Sequence, residues 1–202
     1  MPHDFAAPDV DQYRASILVQ AVTATSIKLA TGLDWIKVTN SVQIPSKSGV
    51  YMHVDSTTDC MVYNGRGVGK AGLKGRLSNQ RRWIQEHLTR LETATTFEDH
   101  FFVAREVPAV RTPAEKNLDL WVAVSGPATW NVPLNEGDYL PETGEQWESF
   151  MYAWSHLITG SRSLIGGGAW ESKPGTTGDV MERVAWSRLC DLELQAKHHL
   201  LI

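Results

Sequence analysis

The sequence predicts an α+β fold: a small three-stranded antiparallel sheet flanked by helices, with an N-terminal helix before it and a helical C-terminal extension after it. Two neighbouring runs, from Ile44 through Gly49-Val50-Tyr51 to Val54 and from Asp59 to Tyr63-Asn64-Gly65, read as strands joined by the turn-forming residues Asp55 to Thr58. A third run, His100 to Val107, is rich in β-branched and aromatic residues and ends at Pro108. Around these runs, apolar residues recur at helical spacing, the pattern of helices layered on a sheet.

Taken in chain order, the first helix is expected over about residues 9–30. Asp9 or Asp11 can cap it, Ile17, Leu18, Ala21 and Val22 recur at helical spacing, and Gly32 lies just past its end. Asp34 to Thr39 reads either as a short strand or as an irregular connection. After the two strands comes a helix over about residues 73–91, with Leu77, Ile84, Leu88 and Leu91 as its apolar stripe. Beyond the third strand, Pro113 suits the first position of a helix running through Glu115 and Leu120, with Thr112 as its cap.

Thr143-Gly144-Glu145-Gln146 forms a capping box ahead of Trp147, Phe150, Met151, Trp154, Leu157 and Ile158, so another helix is expected there. Residues 160–178 read as a loop, and a last helix is expected from Asp179 to Leu200. The organisation is therefore an N-terminal helical segment (1–43), a central domain (44–135) and a helical extension (136–202) packed on it. Trp130, Trp147, Trp154, Trp170 and Trp186 all fall late in the chain. Their helical setting points to core packing rather than base stacking.

At 202 residues and 42% hydrophobic content, the chain can bury one substantial core. No apolar run approaches the ~20 residues that span a bilayer, and the acidic N-terminus is not that of a secretory signal. Cys60 and Cys190 stand alone, without the spacing of a zinc site or a disulfide framework, which fits a reducing cytoplasm. The net charge of −4 is unevenly spread. Between Val62 and Arg90, seven cations (Arg66, Lys70, Lys74, Arg76, Arg81, Arg82 and Arg90) face one acid, Glu86. A cationic patch on an acidic body is what phosphate contact requires, although a short cationic run can also be a solvated helix face.

The order Gly49-Val50-Tyr51, Tyr63-Asn64-Gly65, a glycine- and cation-rich loop, then a helix carrying Arg76 resembles the GIY-YIG nuclease family. The resemblance covers about residues 44–135. It implies metal-dependent hydrolysis of DNA phosphodiester bonds by two strand tyrosines, a helix arginine and a metal-binding glutamate. On this chain those residues are Tyr51, which acts as or orients the general base, Tyr63, which positions water or phosphate, Arg76, which stabilises charge on the phosphate, and Glu115. Glu115 would hold a single Mg²⁺ or Mn²⁺, ions that favour hard carboxylate oxygens. Asn131 resembles the asparagine that closes many of these domains. With Arg66, Lys70, Lys74, Arg81 and Arg82 it completes the expected DNA-binding set. The expected partner is DNA and not a membrane, and homodimerisation stays open.

The chain departs from the family pattern at four points: Asn64 replaces a branched apolar residue, Arg66 stands where a lysine is common, the stretch from Tyr63 to Arg76 is longer than usual, and Gln80 stands one helical turn after the arginine in place of His or Tyr. A second register also exists. Val68-Gly69-Lys70-Ala71 through Lys74, Arg76 and Leu77 echoes the excision-repair nucleases, with Gly67 in the tyrosine position and Lys70 against the phosphate. Asn64 and Gln80 also suit a second function, a nucleic-acid-binding module of the same fold with weak or absent cleavage. A protein-interaction domain using the apolar C-terminal part is a third reading. Gly65 to Lys70 lacks the glycine spacing and the following Ser or Thr of a nucleotide-binding phosphate loop.

Overall fold

The computed structural model describes residues 22–39, 41–77, 118–159 and 175–199. Helix α1 spans Ala24–Thr31, β1 Ile36–Val38, β2 Gly49–Asp55 and β3 Met61–Gly67, with a 3₁₀ turn at Ser41–Gln43 before β2. The described part of α2 is residues 72–77. Strand β4 is Leu118–Val124, α3 is Gly144–Thr159 and α4 is Thr177–His199. The architecture is α+β, with one antiparallel four-stranded sheet in the order β1-β4-β2-β3.

Two expected elements are corrected. The first helix does not run unbroken from residue 9 to 30, because Val22 and Thr23 are extended. Thr23 forms a bridge with Cys60, and the Met61 amide donates to the Val22 carbonyl. Thr23 then caps a new helix, its hydroxyl accepting from the Ser26 amide, and Asp59 accepts from the Ala24 and Thr25 amides. A β-branched pair that prefers extended backbone, ending in a good N-cap residue, resets the helix start. At the other end Gly32 closes the helix as expected, with φ 62° and its amide bonded to the Lys28 carbonyl.

The second correction concerns residues 118–120. They were expected to end a helix and instead begin β4. Leu118, Leu120, Val122 and Val124 alternate with Asp119, Trp121 and Ala123, a period of two that a central strand satisfies. The strand expected at 100–107 lies outside the described residues. Residues 34–39, open between strand and loop, contain β1.

The two faces of the sheet carry different loads. Val50, Met52, Val54, Met61 and Ala123 point to one side and join the main core with Ile27, Trp130, Trp147, Phe150, Met151, Trp154, Met181 and Val184. That core draws on α1, α3 and α4 together, so the C-terminal helices supply much of the interior. The capping box of α3 forms as its sequence suggests. The Gln146 amide donates to the Thr143 hydroxyl, while the Glu142 and Thr143 amides donate to the Gln146 side chain. Tyr51, Leu120, Val122 and Tyr63 occupy the other face, against Leu73 and Leu77 of α2.

Trp130, Trp147 and Trp154 are buried, and each indole N–H has an acceptor: the Thr31 carbonyl, the Gly126 carbonyl and the Ser26 hydroxyl. Trp186 departs from the expectation, lying 57% exposed on α4. Arg188 locks α4 onto α1. Its buried guanidinium donates to the Ala30 and Leu29 carbonyls, lies 4.9 Å from the Trp130 ring centroid and pairs with Asp191 at 2.6 Å. It thereby satisfies carbonyls that the end of α1 leaves open. Arg188→Ala is expected to lower unfolding free energy by about 3 kcal/mol in urea titration, the scale of losing buried charge-assisted bonds. A loss under about 1 kcal/mol would show that the clasp is marginal.

Candidate active site

Alternation along β2 and β3 brings Tyr51, His53, Tyr63 and Gly65 to the α2 side of the sheet. Tyr51 lies opposite Gly65, and His53 opposite Tyr63. The Tyr51 and Tyr63 rings stack with centroids 6.0 Å apart, and His53 sits edge-on to both at 6.0 and 5.9 Å. Tyr51 is fully buried, whereas Tyr63 and His53 are partly exposed. The one trace of His53 in the sequence is its position two residues beyond Tyr51 on the same strand.

Gly65 makes the slot for Tyr51. A Cβ at position 65 would lie 2.5 Å from the Tyr51 hydroxyl oxygen and 2.6 Å from its Cζ. Gly67 serves the neighbouring contact, since a Cβ there would lie 2.5 Å from Leu73 Cα. The start of α2 therefore lies almost directly on the β3 backbone, at the position that the second register would give to a tyrosine. Leu73, Arg76 and Leu77 share the sheet-facing stripe of α2.

From that stripe Arg76 Nε donates to the Tyr51 hydroxyl at 3.4 Å, while the arginine stays largely exposed. The geometry thus brings Tyr51, Tyr63 and Arg76 together. Burial pushes the Tyr51 phenol well above its ordinary pKa, Tyr63 adds to the shift, and Arg76 opposes it. The phenol is therefore protonated through the physiological range. Burial works against charge on Arg76, but the Tyr51 and Tyr63 oxygens outweigh it and hold the guanidinium charged.

Arg66 points to the other face of the sheet, where its strand partner is the buried Val50. Its guanidinium pairs with Glu148 at 2.6 Å and Glu145 at 3.5 Å, both on α3. Burial raises the Glu148 pKa, against the pull of Arg66 and Arg76. Glu148 was also missed in the sequence, where it looks like any helix acid. The expected phosphate contact from Arg66 thus meets a guanidinium already engaged by two carboxylates.

Asn64 likewise faces the helices, opposite Met52, and is fully buried. Neither of its amide atoms has a hydrogen-bond partner. The departure from the family pattern at the middle of this triplet therefore falls on the core side, away from the tyrosines. Lys70 and Lys74 are exposed around the start of α2. Asn131 is exposed too, but the adjacent Trp130 packs in the main core and bonds the end of α1, on the opposite side of the sheet from Tyr51.

Glu115, Arg81 and Arg82 lie outside the described residues. Among the described residues no three His, Cys, Asp or Glu side chains gather as a metal site, and no helix is long and apolar enough to cross a membrane. No family model, curated protein or solved structure matches the chain.

Gly65→Ala is expected to displace the Tyr51 ring and cost about 1–3 kcal/mol of stability, the range of overpacked sites. The cost should shrink in a Tyr51→Leu background, so a thermodynamic cycle without coupling would remove Gly65 from this role. Asn64→Val should raise stability by about 1–2 kcal/mol, because it removes an unpaired buried amide. Destabilisation in chemical denaturation would show that the amide is satisfied in solution.

Proposed function

We propose that this protein is a GIY-YIG-type endonuclease that hydrolyses DNA phosphodiester bonds with Mg²⁺ or Mn²⁺. The observation that carries this reading is the bond from Arg76 Nε to the Tyr51 hydroxyl, with the Tyr63 ring stacked alongside. Residues from two strands and a helix converge there on one face of the sheet. Beyond Nε, the guanidinium has four further N–H donors, a planar array suited to nonbridging phosphate oxygens. Charge builds on those oxygens in the transition state, and a cation already in place stabilises it without reorganisation.

Tyr51 is a positioning residue in this scheme. Its hydroxyl is buried and bonded to Arg76, so it aims the guanidinium and does not accept the proton of the attacking water. Tyr63 is partly exposed and is the tyrosine able to meet water or phosphate. Glu115 is the expected holder of the divalent cation, whose chemistry is to polarise the phosphate or acidify a bound water. The described residues bind and orient the phosphate independently of that cation.

The second reading, a nucleic-acid-binding module without cleavage, draws on the same buried Tyr51 and on Gln80. Plasmid nicking in Mg²⁺ and in Mn²⁺ separates the two. The wild type should cut, Glu115→Gln should not, and Arg76→Gln should lose about 10²-fold or more in single-turnover rate. Binding without nicking in either metal would select the second reading. Full activity of Arg76→Gln would overturn the role given to the arginine.

A further inference from the structure

Helix α2 begins against the loop that precedes β2, and this crossing gathers cations from separate parts of the chain. The Leu73 amide donates to the Lys47 carbonyl at 2.9 Å, and the Lys74 amide donates to the Pro45 carbonyl at 3.2 Å. Gly72, at φ 51°, lies so close to the Lys47 backbone that a Cβ there would collide with it. A helix start commonly offers such amides to an anion. Here carbonyls of the 45–48 loop already take two of them, so phosphate recognition at this end falls to side chains.

Lys47, Lys70 and Lys74 are all exposed around the crossing. Neither Lys47 nor Lys70 has a carboxylate partner among the described residues, in contrast to Arg66, which is held by Glu145 and Glu148. Lys74 lies on the same helix as Arg76. The three lysines thus come from the loop before β2, the loop after β3 and the start of α2.

We infer that the phosphate backbone of DNA runs over this crossing, with Lys47 a contact residue alongside Lys70 and Lys74. The inference rests on the nucleic-acid reading above and adds to it a residue outside the motif. Backbone hydrogen bonds hold the Lys47 main chain against the first residues of α2, which places it next to the segment that carries Lys70 and Lys74. Contacts of this kind strengthen binding without reading sequence, and each releases bound counterions.

The test is binding of a short fluorescent DNA duplex in EDTA across a salt series, which keeps cleavage out of the readout. Each phosphate contact contributes about 0.9 to the slope of log affinity against log salt. Lys47→Gln should reduce the slope by about that amount, and Lys47→Glu should weaken binding further. Lys47→Arg should keep the slope, and so should Lys197→Gln on α4, while circular dichroism melting verifies that each variant is folded. A wild type with a steep slope that Lys47→Gln and Lys47→Glu leave unchanged would overturn this inference and spare the nuclease reading. A wild type that binds no DNA, or binds it independently of salt, would overturn both. Binding without cleavage in any metal would end the nuclease reading alone and leave the Lys47 contact standing.

Discussion

The close seating of α2 on the β2–β3 hairpin is the constraint from which the rest of the candidate site follows. It depends on missing side chains. With no Cβ at Gly67, Leu73 reaches the β3 backbone, and with no Cβ at Gly65, the Tyr51 hydroxyl has a place to lie. Only at that separation does an arginine one turn beyond Leu73 meet the phenol. A bulkier strand would hold α2 further away and leave Tyr51 and Arg76 as two unrelated side chains.

The opposite face supplies the rigidity that such a contact needs. Three helices cover it, and the indoles of Trp130, Trp147 and Trp154 are each tied to an acceptor on a neighbouring segment. Arg188 joins α4 to the carbonyl end of α1 and packs on Trp130. The central strand β2 is therefore packed on both faces, so Tyr51 stands on a braced element. Sites held by packed strands are more precise than sites held by loops.

Charge is sorted by the same geometry. Arg66 belongs to the basic run of the sequence, but strand alternation turns it toward α3 and two carboxylates. Lys47 lies outside that run, yet a backbone bond at the start of α2 holds its carbonyl against the Leu73 amide. Arg66 is thus engaged by acids distant in sequence, while Lys47, also distant in sequence, comes to lie against α2. The acidic balance of the whole chain, −4, conceals both effects.

The sequence alone determined the α+β class, the hairpin, the end of α1 at Gly32 and the start of α3 at its capping box. These rest on local preferences: alternation, turn residues, a left-handed glycine and reciprocal capping bonds. The resemblance to GIY-YIG nucleases marked Tyr51, Tyr63, Arg76 and Glu115 as a set, and of these Glu115 lies outside the described residues. Tertiary structure alone decided that residues 118–120 are strand, since a short apolar run suits either element until β1 and β2 pair with it. It alone decided that Asn64 is buried beneath helices, that His53 joins the tyrosines and that Glu148 engages Arg66. Each of those depends on which face of a strand meets which distant helix, and no local pattern in the chain specifies that pairing.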